Sequence, residues 1–179
     1  IMKKFKVGIQ LYSLRDAMEK DMDSTLKTVK EMGYDYVEFA GYFGKSAEEV
    51  KAILDKYGLE AVSVHQAISL FEEEGQKAVD YLKTLGVKYC AIPWYNVDEF
   101  ISNWDATMDK FKNVSKLLGD NDIKLMYHNH DFEFNKINGE YILDRLYATL
   151  PEGVIMPQLD TCWVHYAGVN PSEYIRKYS

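Results

Sequence analysis

Cysteine, proline and basic charge are what this chain of 179 residues has little of: two Cys, four Pro, and 21 Lys and Arg against 28 Asp and Glu. Cys90 and Cys162 stand in no CxxC spacing, so a disulfide framework is excluded, and reduced thiols in a cytoplasmic protein are expected. The net charge of −7 leaves no basic stripe to displace phosphate counterions, which argues against a nucleic acid or an anionic membrane as partner. Small polar substrates remain open. No apolar run reaches membrane-spanning length, and the start IMKKFKVGIQLY lacks the apolar core and cleavage site of a signal peptide. Neither GxGxxG nor GxxxxGK[ST] follows any apolar run, and no GxSxG elbow marks a serine nucleophile. Cys90 lies inside an apolar run, where its thiol should be inert. No Pro/Gly/Ser-rich linker divides the chain, and 47% hydrophobic residues suit a single domain over 1–179.

What is present is an alternation of short β-type runs with helical patterns. The runs are Lys6 to Leu11, Tyr36 to Phe39, Glu60 to His65, Lys88 to Ile92, the stretch from Ile123 to Phe134, and Val154 to Asp160. Between them lie helices expected from apolar spacing and caps. One is capped by Asp23 with Leu26, Val29 and Met32 inward; one opens on the capping box of Ser46 and Glu49; one carries Ala78, Tyr81, Leu82 and Leu85. A longer one uses Trp104, Met108, Phe111, Val114 and Leu118, a short one runs from Tyr141 to Leu150, and a last one starts at Asn170 and Pro171. Six βα units in succession imply a parallel sheet, and a polar group recurs at nearly every strand end, as a barrel mouth requires. The expected fold is a (β/α)8 barrel of which this chain carries about six units. A sheet ending after six strands would leave two open edges, which would favour a homo-oligomer.

The chemistry concentrates in IKLMYHNHDFEF, residues 123–134, where an apolar run ends in His128, Asn129, His130, Asp131 and Glu133. Strand alternation places Met126, His128 and His130 on one face. Asp160, in QLDTCW, shares parity with Gln158 and Met156 and is the best single carboxylate, with a turn-capping role as the alternative. Gln10, Glu38, His65 and His130 are the other polar groups expected at the mouth as substrate contacts; Glu38 sits in an apolar strand, where it would need a partner. Trp94, Tyr95 and Trp163 follow strand ends and could wall a sugar ring. Imidazole and carboxylate together suit a divalent cation, Mn, Mg, Co or Zn without a choice among them. Such an ion polarises a carbonyl so that a nearby carboxylate or imidazole can remove the adjacent proton, which is isomerase or epimerase chemistry.

VGIQLYSLRD, YVEFAGYFG, YHNHDFEF and QLDTCWVHYAGVNPSEYIRKYS together resemble the sugar phosphate isomerase/epimerase family of the xylose-isomerase-like TIM-barrel superfamily. The resemblance runs through essentially the whole chain. It implies one divalent metal bound at the ends of strands five to eight, with Asp160 as the strand-six ligand and the strand-five ligand lying between Glu133, in the loop beyond the strand, and His128. Glu133 and His128 are likewise the candidate acid/base groups. The family's seventh and eighth strands, with their metal ligands, would follow Ser179. A sugar, sugar phosphate or keto-polyol is the expected substrate; a noncatalytic carbohydrate-binding protein is the alternative, and an abasic-site endonuclease ranks lower for want of a basic rim.

Overall fold

Six of the apolar runs become the strands of one parallel sheet: β1 (Gly8–Gln10), β2 (Tyr36–Ala40), β3 (Glu60–His65), β4 (Tyr89–Ile92), β5 (Lys124–His128) and, after a hairpin of β6 (Lys136–Ile137) and β7 (Glu140–Tyr141), β8 (Met156–Gln158). Their order in the sheet is β1-β2-β3-β4-β5-β8, all neighbours parallel. The computed structural model describes residues 5–179; Ile1 to Lys4, the first part of the stretch read as lacking a signal-peptide core, lie outside the described residues.

The alternation of each strand sets two surfaces. On the outer one, Val37, Phe39, Val64, Cys90, Ile92, Leu125 and Tyr127 are sealed from solvent. Against them pack Leu26 and Val29 of α2 (Met22–Glu31), Val50 and Leu54 of α3 (Ala47–Tyr57), Val79 and Leu82 of α5 (Gln76–Leu85), Phe111 and Leu118 of α7 (Trp104–Gly119) and Leu143 and Leu146 of α8 (Ile142–Thr149). The capping box forms as expected: Glu49 N donates to Ser46 Oγ at 3.2 Å and Ser46 N to Glu49 Oε2 at 2.7 Å. The αL residue Gly58, at φ 62°, ends that helix.

The inner surface shows that the sheet is curved into a partial barrel. Gln158 of β8 donates its amide to Glu38 of β2 at 2.6 Å and its carbonyl oxygen lies 2.7 Å from His65 Nε2 of β3. Neither strand neighbours β8 in the sheet, so these contacts can only cross the barrel interior. At Gly8, an added Cβ would meet the Tyr36 carbonyl oxygen at 3.1 Å, so β1 approaches β2 closely because it has no side chain there.

Several expectations are corrected. The fifth strand stops at His128 rather than Phe134, and residues Phe132–Phe134 form a 3-10 turn. The first and sixth strands are shorter than read, Gly8–Gln10 and Met156–Gln158. Asp21, not Asp23, caps α2, and Met32 is exposed just past the helix end. Four short helices go beyond the sequence pattern: α1 (Arg15–Lys20), α4 (Ile68–Glu74), α6 (Val97–Ser102) and α9 (Thr161–Tyr166); α10 (Pro171–Lys177) starts as expected, with the Asn170 side chain accepting from Ser172 N. No helix among the described residues is long and apolar enough to cross a membrane.

Candidate functional site

A carboxylate inside a barrel must be satisfied or neutralised, and Glu38 is satisfied four times over. Its Oε1 accepts from Gln10 Nε2 at 2.7 Å and lies 3.0 Å from His65 Nε2; its Oε2 accepts from Gln158 Nε2 at 2.6 Å and from the Ser63 hydroxyl. A bulge in β3 after Ala61 lets Glu38 face Ser63 instead of Val62, and thus aligns Ser63 and His65 with β2's inward residues. Burial pushes the Glu38 carboxyl up, but the bond and charge of His65 with the Ser63 and Gln158 donors overcome it and hold the pKa down at about 2.

Beside this network stand the groups of β5 and of the turn after β8. His128 Nε2 lies 3.7 Å from Asp160 Oδ2, and its ring centroid is 4.7 Å from that of His65 and 5.2 Å from that of His130. Burial, reinforced by the two neighbouring imidazoles, lowers the His128 pKa to about 4 despite Asp160 and Glu38, so the ring is a neutral donor at pH 7. Asp160 is both cap and site residue. Its Oδ1 accepts from Cys162 N at 2.9 Å and Trp163 N at 3.0 Å at the start of α9, while Oδ2 is turned to His128. The wholly buried Asn129 clamps this corner, accepting from Asp160 N at 2.9 Å and donating to the Asp160 carbonyl at 3.3 Å.

His130, beyond the strand end, stacks on Phe132 with centroids 5.3 Å apart and planes 9° apart, and touches Trp163 at 5.3 Å. Trp94 meets Phe132 edge-on at 6.5 Å. These rings make a continuous aromatic wall on one side of the mouth. Tyr95 is not part of it; it is buried against Phe100 and Phe111 in the helical layer.

Glu133 is the chief correction. It is fully buried, accepting from Tyr127 Oη at 2.7 Å and from His130 N at 2.7 Å. Tyr127 belongs to the opposite face of β5 from His128 and packs among Phe100 and Phe111, so the Glu133 carboxyl points into the helical layer and not over the mouth. It is therefore neither beside Asp160 as a metal ligand nor placed as a catalytic group. The 3-10 turn at residues 132–134 rotates it there, a turn that strand periodicity does not reveal.

The structure thus gathers Gln10, Glu38, His65, His128, His130, Asp160, Trp94 and Trp163 around one end of the barrel, and excludes Glu133. Sequence reasoning missed Asn129 as a clamp and Phe132 as the stacking partner of His130. A polar residue at a parity facing the core, flanked by two histidines, was the available signal for Asn129.

For a divalent ion the donor chemistry fits in part. Asp160 Oδ2 and the neutral His128 are close enough for bonds of about 2.1 Å to one ion. Among the described residues, no group of three or more His, Cys, Asp or Glu side chains is arranged to hold an ion.

Comparison with known proteins agrees with the architecture. An inosose dehydratase of Geobacillus kaustophilus (strain HTA426) is 24% identical over 181 residues, covering 88% of this chain; the chain spans 58% of that curated relative's length. In fold, a sugar phosphate isomerase/epimerase from Parabacteroides distasonis ATCC 8503 superposes with a TM-score of 0.85 at 22% identity, covering 99% of this chain and 73% of its own. A D-psicose 3-epimerase superposes with a TM-score of 0.69 at 12% identity over 98% of this chain and 70% of its own. The sequence model of one family matches residues 26–178, nearly the whole alternation of strands and helices, and by that match the chain belongs to the xylose isomerase-like TIM barrel family.

Proposed function

We propose that this chain carries the substrate mouth of a divalent-metal-dependent isomerase or epimerase acting on a sugar, sugar phosphate or keto-polyol. The observation that carries the reading is the meeting of Asp160 Oδ2 and neutral His128 at 3.7 Å beside a saturated polar floor and an aromatic wall. Asp160 and His128 would hold the ion, which when bound supplies polarisation of a substrate carbonyl and acidifies the neighbouring C–H. With two protein ligands it would keep several waters and bind weakly.

The remaining groups divide the work of binding. A sugar ring presents a C–H face and a rim of hydroxyls. Trp163, Phe132 and Trp94 suit the first by apolar contact, and His65, above a floor whose Gln10 and Gln158 amides are already engaged, suits the second by hydrogen bonding. His130 is the imidazole left to exchange a proton with the carbon next to the carbonyl. The name of the curated relative favours one variation on this chemistry, in which proton abstraction is followed by loss of a neighbouring hydroxyl, a dehydratase.

The test is solvent exchange. In D2O, the protein with a panel of keto sugars and Mn, Mg, Co or Zn should incorporate deuterium at the carbon next to the carbonyl, read by NMR, and Asp160→Asn should abolish it. Sugar binding with no exchange under any metal would replace the enzyme reading with a noncatalytic carbohydrate-binding protein.

A further inference from the structure

We propose that Glu38 is a positioning residue that locks the singly protonated form of His65 with its proton on Nε2, leaving Nδ1 as the hydrogen-bond acceptor offered to a substrate hydroxyl. The acceptor role rests on the sugar reading above; the lock itself does not.

A backbone amide can only donate, and one such amide fixes the whole network. Tyr12 N lies 2.8 Å from the Gln10 side chain, so the atom it meets is the amide oxygen, and the Gln10 nitrogen is left to donate to Glu38 Oε1. An ionised carboxylate has about four lone-pair positions and no proton to give. Here all four are taken, by Gln10, His65, Ser63 and Gln158. The low pKa of Glu38, about 2, agrees with an acceptor that stays ionised.

Gln158 is oriented by the same logic. Turned the other way, its oxygen would face the Glu38 carboxylate and its NH2 would face His65; as it stands, the nitrogen donates to Glu38 and the oxygen faces His65 Nε2 at 2.7 Å. His65 Nε2 therefore meets two oxygens, Glu38 Oε1 at 3.0 Å and Gln158 Oε1 at 2.7 Å, neither of which has a hydrogen to donate. Nε2 must carry the proton. Nδ1 has no hydrogen-bond partner among the described residues and is not among their sealed, unpartnered polar atoms, unlike Nδ1 of His130. It is open at the mouth. The orientation of one imidazole is thus fixed through Gln10, Glu38 and Gln158, on three different strands, and Glu38 is the only member touching all the others. Because its acceptor positions are spent, Glu38 acts through His65 rather than by touching substrate, which revises its expected role as a substrate contact.

The experiment is long-range 1H–15N NMR of the imidazoles in metal-free, uniformly 15N-labelled protein over a series of pH values, with the His65 signals assigned by their loss in His65→Gln. In the singly protonated form of the ring, the expected spectrum places the proton on Nε2. In Glu38→Gln, whose amide offers one acceptor atom in place of two, the shifts of both nitrogens should move toward the average of a tautomer mixture. Ser63→Ala and Gln158→Ala should retain the Nε2-protonated pattern, since Glu38 still accepts from His65 in each. A singly protonated wild-type His65 with its proton on Nδ1, an unchanged pattern in Glu38→Gln, or release of the lock by Gln158→Ala would overturn the proposal. If Glu38→Gln does not fold, the wild-type and Gln158→Ala spectra still decide it. No substrate is used, so absence of isomerase activity and absence of the lock are read separately.

Discussion

Replacing Glu133 with Gln should reshape the pH dependence of folding. The carboxyl is fully buried beside Tyr127, and burial raises its pKa from the ordinary 4.5 to about 7, against the lowering effect of the bonds from Tyr127 and His130 N. A folded-state pKa above the unfolded one means that the folded protein binds the proton more tightly. The contribution is fully present below pH 4.5 and is lost as pH rises to about 7. A shift of this size corresponds to about 3 kcal/mol. His128 works in the opposite direction. Its pKa falls from 6.5 to about 4, so ionisation of the unfolded chain weakens stability as pH falls through that interval, by an amount of the same order. The two slopes largely cancel in the wild type between pH 4.5 and 6.5. Urea unfolding of metal-free protein at a series of pH values should therefore show Glu133→Gln gaining stability with rising pH relative to wild type, by about 3 kcal/mol across the interval. A constant difference between the two proteins from pH 4 to 8 would refute the reasoning and place Glu133 in contact with water.

Elsewhere the structure sets simpler expectations. Asp144 of α8 accepts from Tyr174 and Tyr178 and pairs with Lys177 Nζ at 2.7 Å, so Asp144→Ala should cost about 2–3 kcal/mol and selectively raise amide exchange in α10, measured by hydrogen–deuterium exchange. Ser46→Ala removes half of a capping box and should cost about 1 kcal/mol in urea unfolding, without altering the mouth.

The parts of this molecule legible in its sequence are those where one residue's neighbours along the chain decide its environment. Alternation in YVEFA and at the ends of the other strands indicated which side chains face inward, and Gln10, Glu38, His65, His128 and Gln158 are found together at the mouth, whereas the bulge after Ala61 that brings in Ser63 is not legible from alternation. Short helices escape because six or seven residues, as in Arg15–Lys20 or Thr161–Tyr166, carry too few apolar positions to show a stripe. Asp23 reads as the cap in sequence because Asp21 stands only two residues earlier and either could begin the same apolar spacing; in the fold Asp23 instead meets Lys56 at 2.8 Å. Glu133 shows the deeper limit. Its partner, Tyr127, lies six residues back, across a strand end and a 3-10 turn that break any regular period, so only the folded chain reveals that the two are bonded. Likewise Glu38 and Gln158 are 120 residues apart, and their contact follows from curvature of the whole sheet.

The most direct measurement of the central claim is Mn2+ binding to the protein, followed by electron paramagnetic resonance of the free ion in wild type, Asp160→Asn, His128→Asn and Glu133→Gln. In Asp160→Asn the amide oxygen can still cap α9, so the helix is kept while the charge facing His128 is lost. Binding should weaken about tenfold or more, about 1.4 kcal/mol, in Asp160→Asn and in His128→Asn, and should be unchanged in Glu133→Gln. Equal binding in wild type and Asp160→Asn, or a loss confined to Glu133→Gln, would contradict the account.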